Sequence, residues 1–299
     1  MKKHVKRVFG WRVPNAALRQ VARFMPAVRG TGRLPAPARL REVEGRIRGA
    51  RFTMLRPDRC VVAKELYWGG GRRPKDEDQL ALEVFASFAT SADVMVDVGA
   101  YTGLFTLVGT AVNPLIEAHA FEMVPAVFGM LFDNCVRNDV LHRVTLHHVA
   151  VGAPGAVVRL PAGSDGSALP DFFSTDLHFS SGALVRTASL DSLVAGIPGR
   201  SSVVMKVDVE GTENEVFRHG QAFLADFRPD IVCEVLHGVA QTPELASLLS
   251  PHGYRFYLIR EHDLFAADRL DPNPRFRDWL LTARRASELR ADGFIVTDN

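Results

Sequence analysis

Asp97-Val98-Gly99-Ala100-Tyr101-Thr102-Gly103 decides the fold of this 299-residue chain, because it follows a strand-like run, Val94 to Val98, and precedes an apolar helix-like stretch, Leu104 to Val112. Strand, tight turn and helix in immediate succession open a parallel α/β unit. Gly99 and Gly103 let the backbone turn sharply and approach a ligand where a Cβ would obstruct. Small residues at the carboxyl end of such a strand mark a nucleotide-type pocket.

Two cofactor classes compete for this loop, against the plain alternative of a structural turn. A dinucleotide fingerprint needs G-x-G-x-x-G, and counting from Gly99 puts Tyr101 and Leu104 at its second and third glycine positions. A methyl-donor loop needs an acid at the strand end and G-x-x-x-G, and Asp97, Gly99 and Gly103 supply both. One strand later, Glu122 ends Ala118 to Phe121, where an acid can accept hydrogen bonds from both hydroxyls of a ribose; alone it would read as a solvated loop residue.

Outward from the loop, strands and helices alternate as in a parallel sheet covered on both faces. Strands are expected at Val144 to Val149, Ser202 to Val207, Asp230 to Leu236, Tyr254 to Ile259 and Trp279 to Ala283. Helices are expected at Asp76 to Phe88, Pro125 to Asn138, Glu213 to Phe223 and Thr242 to Pro251. Asp271-Pro-Asn-Pro274 predicts a turn between two antiparallel edge strands. Arg51 to Ala63 predicts a pair of short strands. Residues 161–182, rich in Ser, Gly and Asp, predict a lid or small strands.

A third chemical element is Lys206-Val207-Asp208-Val209-Glu210-Gly211-Thr212-Glu213. A helix cap accounts for Thr212 and Glu213. It does not account for Lys206 and Asp208, since charges at the end of a buried strand are costly unless paired or used. Ser189 and Asp191 read as N-cap residues of a short helix, and His147-His148 as structural or adenine-adjacent. His237, at the end of a neighbouring strand, is either a general base or a surface imidazole. The acids at 208, 210 and 213 suggest a cation site, but strand alternation would point them apart, so no metal is expected.

Taken together, DVGAYTG, FE at 121–122, SLDSL at 189–193, KVDVEGTE at 206–213 and PDIVCEVLH at 229–237 resemble the FkbM-like methyltransferases. The resemblance implies a Rossmann-like class I fold, a seven-stranded mostly parallel sheet ordered 3-2-1-4-5-7-6 with helices on both faces. It implies S-adenosylmethionine as cofactor and O-methylation of a small-molecule or glycan hydroxyl. By position, Asp97, Gly99, Ala100, Tyr101, Thr102 and Gly103 would form the cofactor loop, Glu122 the ribose clamp, and Asp208 the residue beside the donor. Asp208, Lys206 and His237 would serve catalysis. The chain differs from the common pattern in Met123-Val124-Pro125 after the second strand and in Tyr101, where Asn is usual.

With 47% hydrophobic and 23% charged residues the chain has a globular composition, yet its net charge of +2 conceals a division. Residues 1–41 hold eleven Lys and Arg and no acid, leaving 25 basic against 34 acidic residues and a formal charge of −9 over 42–299. The expected organisation is a basic arm and linker (1–41), strands and a helix packed on the catalytic domain (42–90), the methyltransferase domain (91–283) and a tail (284–299). Cys60, Cys135 and Cys233 fit neither a zinc spacing nor a disulfide framework, and read as reduced cytoplasmic thiols. The uncharged run Val98 to Ile116 is interrupted by glycines and Asn113-Pro114, which argues against a membrane span, and the basic start lacks the apolar segment of a secretory signal. The arm could touch acidic surfaces, so a noncatalytic membrane or polyanion-binding module is an alternative. A nucleic-acid methyltransferase is another, weakened because DVEG stands where base-amine enzymes carry (N/D)-P-P-(Y/F).

Overall fold

The computed structural model describes residues 35–37, 39–160, 182–193, 195–238 and 242–298. Most of the basic arm and most of the 161–182 segment lie outside these. In chain order the strands are β1 (Glu42–Ile47), β2 (Ala50–Leu55), β3 (Val94–Val98), β4 (Glu117–Phe121), β5 (Val144–His147), β6 (Ala150–Val151), β7 (Val157–Arg159), β8 (Leu184–Ala188), β9 (Val203–Val207), β10 (Asp230–Glu234), β11 (Arg255–Ile259), β12 (Leu264–Ala267), β13 (Asp278–Thr282) and β14 (Val296–Thr297).

Nine of them form one sheet in the order β14-β12-β11-β13-β10-β9-β3-β4-β5. From β5 to β10 every pairing is parallel, and β13 runs antiparallel to both β10 and β11. The seven strands from β5 to β11 reproduce the expected order 3-2-1-4-5-7-6. Strands β12 and β14 add two more at the edge. Because β3 leads to β4 on one side while β9 leads to β10 on the other, the order reverses between β3 and β9. Ligands bind above the strand ends at such a reversal.

Alternation along the strands divides the core in two. Met95, Val204, Val232 and Leu280 face one cluster, while Val96, Met205, Ile231 and Leu281 face the other. Helices Asp76–Ala89 and Leu104–Val112 and the hairpin β1–β2 cover the first face. Helices Gln221–Phe227 and Thr242–Leu249 supply Phe223, Leu224, Leu245 and Leu249 to the second. Ile47, Phe52, Met54 and Leu66 share a cluster with Met95 and Leu107, so residues 42–90 and the sheet have a common core.

Several elements depart from the sequence expectation. The hairpin lies at Glu42–Leu55, earlier than expected, because Arg48-Gly49 both take positive φ, at 46° and 82°, and make the tight turn. Residues Val61–Gly69, read partly as strand, form a helix whose first turn is capped by the Cys60 thiol accepting from Ala63 N–H. The expected helix Glu213 to Phe223 breaks at Gly220, where a Cβ would stand 3.0 Å from the Val216 carbonyl oxygen. Strand β12 was not foreseen: β11 pairs antiparallel with β13, but the chain first folds β12 onto the far side of β11. The segment expected as a tail forms helix Ala286–Ala291 and strand β14, which pairs with β12.

Two asparagines fasten β2 to the domain. Asn134 Oδ1 accepts from Leu55 N–H at 2.8 Å and its Nδ2 donates to the Thr102 carbonyl at 2.8 Å. Asn138 brackets Thr53 N–H and C=O, both at 2.7 Å. Replacing Asn134 by Ala leaves a backbone donor and a backbone acceptor unpaired, each at about 1–3 kcal/mol if water is excluded. We expect Asn134→Ala to lower unfolding free energy by roughly 2–4 kcal/mol in urea titration; a loss under about 0.5 kcal/mol would mean that water replaces the side chain.

Candidate active site

A cavity of about 830 Å³ opens where the strand order reverses. Its lining combines an apolar set, Val124, Val127, Val149, Val151 and Val158, with Glu122 and the turn Gly99-Ala100-Tyr101, and with a polar end made of Lys206, Asp208, Glu210, Glu234, His237 and Arg277. Apolar walls, a buried carboxylate and a cluster of acids are the surfaces that a nucleoside bearing a cationic sulfur needs.

Glu122 is buried, and its two oxygens accept from Tyr101 N–H at 2.9 Å and Val124 N–H at 2.7 Å. Each oxygen keeps a further lone pair that a ligand's hydroxyl can donate to. Burial pushes its pKa up to about 7, against the pull of these two N–H groups. Tyr101 holds a positive φ of 50°, which aims its N–H at that carboxylate.

Gly99 has a role that the sequence reading attributed to the ligand. At φ 80° its absent Cβ would lie 1.8 Å from the carbonyl oxygen of Asp208. The glycine is required by the close approach of the β9 end to the β3 end, which also bonds Asp208 N–H to the Val98 carbonyl at 2.9 Å. Gly103 also takes a positive φ, 89°, but the close contact of a Cβ there would be with a side-chain end, Leu131 Cδ1 at 2.6 Å, and not with backbone.

The polar end is a charge cluster built on one face of four neighbouring strands. Lys206, in register with Asp97 and only 2% exposed, places Nζ 3.1 Å from Asp278 Oδ1 and 3.5 Å from Asp208 Oδ2. The ammonium also lies 5.2 Å from the centre of the Phe105 ring. Burial acts to lower the lysine's pKa, but Asp278, Asp208 and Glu234 outweigh it, so the amine stays charged. Glu234, in register with Asp278, pairs with Arg277 at 3.0 Å, yet burial and the charge of Asp208 hold its carboxyl well above the ordinary range.

Of the residues expected to serve catalysis, Asp208, Lys206 and His237 all line the cavity, His237 as an exposed side chain. Of those expected around the cofactor, Gly99, Ala100, Tyr101, Glu122 and Asp208 do so, and Asp97, Thr102 and Gly103 do not. Asp97 Oδ2 instead accepts from the N–H and hydroxyl of Thr106, at 3.0 and 2.6 Å, holding the start of helix Leu104–Val112. Burial lifts Asp97 to about 6. Thr102 bonds the Cys60 thiol at 3.1 Å. Asp191 accepts from Phe223 N–H at 2.8 Å, capping helix Gln221–Phe227 and not its own, while Ser189 caps locally through Ser192 N–H. His147 stacks on Phe121 and lies 3.2 Å from His119.

The acids at the polar end differ from the expectation of divergence. Asp208 and Glu210 follow the end of β9, so strand alternation no longer separates them, and with Glu234 they bring three carboxylate oxygens within 4.8 Å of one another. These are the described residues that could hold a cation. The Lys206 ammonium already supplies positive charge beside Asp208. Sequence reasoning missed Glu234, Arg277, Asp278, Phe105, Glu65 and Arg73. The motif PDIVCEVLH contained Glu234, but no sequence signal joins the others to the site.

Gly99→Ala should therefore fail mechanically, independent of any ligand. It forces β3 and β9 apart, whereas Gly103→Ala displaces one flexible leucine end. We expect Gly99→Ala to lose more than about 2 kcal/mol in unfolding experiments and to lose more than Gly103→Ala; equal losses would show that the strand ends yield easily.

A family model described as the methyltransferase FkbM domain matches residues 97–256. The 31-O-demethyl-FK506 methyltransferase FkbM of Streptomyces tacrolimicus is 29% identical over 212 residues, covering 60% of this chain and 78% of that protein. Among solved structures, precorrin-6y C5,15-methyltransferase from Geobacter metallireducens is similar at a TM-score of 0.39 and 15% identity, covering 70% of this chain and 89% of that one. TYW2 of M. jannaschii in complex with AdoMet is similar at 0.40 and 14%, covering 81% and 84%. The family match spans the Gly99–Gly103 turn, Glu122, β9 and β10. This chain belongs to the FkbM methyltransferase domain family, and S-adenosylmethionine is its cofactor.

Proposed function

We propose that this methyltransferase acts on a hydroxyl group of a small molecule or a sugar. The observation that carries the reading is the Lys206–Asp208 pair at the polar end of the cavity, with the lysine buried and the aspartate side chain 34% exposed. A hydroxyl acceptor needs a group to receive its proton and a fixed geometry for its oxygen. Asp208 is the proton acceptor, reachable from the cavity, and Lys206 orients it while Asp278 holds the lysine from the other side. His237, on the rim, is the second candidate for the proton. Glu122 orients the ribose, and the valine-lined end takes the adenine. When bound, the sulfonium supplies an electrophilic methyl group. The acids at the polar end favour the cationic donor over its neutral product.

The acceptor class is tested by incubating the protein with S-adenosylmethionine and panels of hydroxylated metabolites and sugars, reading the mass gain of one methylene. With an acceptor in hand, Asp208→Asn should reduce turnover about a hundred- to ten-thousandfold, the usual contribution of a general base, with a much smaller change in S-adenosylhomocysteine affinity. Turnover within about threefold of the parent would transfer the role to His237.

A pH dependence follows from Glu122. Its pKa of about 7 in the free protein means that at low pH the carboxyl is protonated. Ribose hydroxyls donate to the carboxylate, so binding favours its ionised form and affinity should rise as pH increases through about 7. Calorimetric titration with S-adenosylhomocysteine between acid and neutral pH reads this slope, and Glu122→Gln should flatten it. An unchanged slope in that variant would place the responsible group elsewhere.

A further inference from the structure

Among the described residues, four buried side-chain polar atoms have no hydrogen-bond partner: Glu65 Oε2, Arg73 Nε, Tyr101 Oη and Trp279 Nε1. Three of these belong to residues lining the cavity. Buried polar atoms left unpaired are destabilising, and in a binding site they point to a ligand group that completes them.

Glu65 Oε2 stands 3.1 Å from Arg73 Nη2 as an ion pair outside hydrogen-bond geometry, and Arg73 Nη2 donates to Asp78 Oδ2 at 2.9 Å, with all three side chains at most 16% exposed. Both contacts use Nη2. The Nε edge of the guanidinium is left over. Tyr101 links this corner to the donor loop. Its N–H is held by Glu122 Oε2, while burial, with Cys60, Glu122 and Glu65 adding to it and the Val61 backbone beside the phenol oxygen opposing it, pushes its phenol up to about 12. The ring therefore extends from the ribose-side carboxylate toward helix Val61–Gly69, whose N-cap is Cys60. The other cations of the cavity wall are engaged: Lys206 by Asp278 and Asp208, Arg277 by Glu234. Burial keeps the Glu65 carboxyl above its ordinary pKa despite Arg73, so this corner accommodates a further positive charge.

The corner thus offers the Glu65 carboxylate, ion-paired through Oε2 but without a hydrogen bond there, one guanidinium N–H and one hydroxyl, the complement of an amino acid zwitterion. We infer that Glu65, Arg73 and Tyr101 hold the amino acid end of S-adenosylmethionine, Arg73 and the Tyr101 hydroxyl binding its carboxylate and Glu65 its ammonium. This rests on the donor occupying the cavity with its ribose at Glu122. Glu65 and Arg73 lie outside the residues matched by the family model, in the segment between β2 and β3.

The test compares two ligands in calorimetric titration of the full chain: S-adenosylhomocysteine, which carries the amino acid end, and 5′-methylthioadenosine, which lacks it. The parent should prefer the first by at least about a hundredfold. Glu65→Gln and Arg73→Ala should each weaken S-adenosylhomocysteine about ten- to hundredfold and leave methylthioadenosine within about threefold, with a smaller loss for Tyr101→Phe. Arg73→Lys, which keeps the charge, should fall between parent and Arg73→Ala. Since Arg73→Ala leaves two buried carboxylates without their cation, Glu65→Gln and Arg73→Lys decide the matter if it does not fold. Variants that preserve the parent's preference, or that weaken both ligands equally, overturn the inference. So does an Arg277→Ala variant that abolishes the preference while Arg73→Lys keeps it. A parent that binds neither ligand would instead refute the cavity as the donor site.

Discussion

The buried ammonium of Lys206 is the constraint around which the sheet's upper edge is arranged. A charge at 2% exposure is tolerable only with carboxylates at contact distance. Those carboxylates come from different parts of the chain: Asp208 from the same strand's end and Asp278 from the antiparallel β13, which β10 separates from β9. Strand alternation turns Lys206, Asp278 and Glu234 to the face that carries Met95, Val204 and Val232 lower down, and Asp208 joins them just past the end of β9. The hydrophobic core and the charge cluster are thus two zones of a single face.

The Gly99–Asp208 approach extends the same logic to the cofactor side. The donor loop and the acid touch backbone to backbone, so neither can shift without the other. Glu122 and Tyr101 are joined likewise through a backbone N–H. The Gly99–Tyr101 turn, Glu122 and Asp208 are thus joined through backbone contacts. The N-terminal segment, with Glu65 and Arg73, closes the cavity from outside the sheet.

Local pattern made much of this legible from the sequence. The β3 strand and the helix after Gly103 could be bounded because a buried run, a glycine turn and a helical apolar period abut with nothing ambiguous between them. Lys206 and Asp208 stood out because charge interrupts an apolar strand. What stayed hidden depends on distant pairing. Asp278 and Arg277 follow a turn-rich segment, and nothing near them signals that an antiparallel strand brings them beside Lys206. The Val61–Gly69 helix was obscured by its β-branched start. Asp97 was assigned to the ligand since acid at a strand end is ambiguous until Thr106 is seen to accept that role. Gly99 was recognised for a ligand's approach, while the neighbour that demands it is the protein's own backbone.

The antiparallel β13 also bears on the order in which the molecule can be completed. Asp278 lies 72 residues after Lys206. A nascent chain that has emerged only through β9 and β10 would have to bury the lysine without its nearest counter-charge. Non-local pairings of this kind close late and slow folding. The strands after β10 therefore complete the sheet's upper edge: without β13 between β10 and β11, Lys206 lacks its nearest counter-charge.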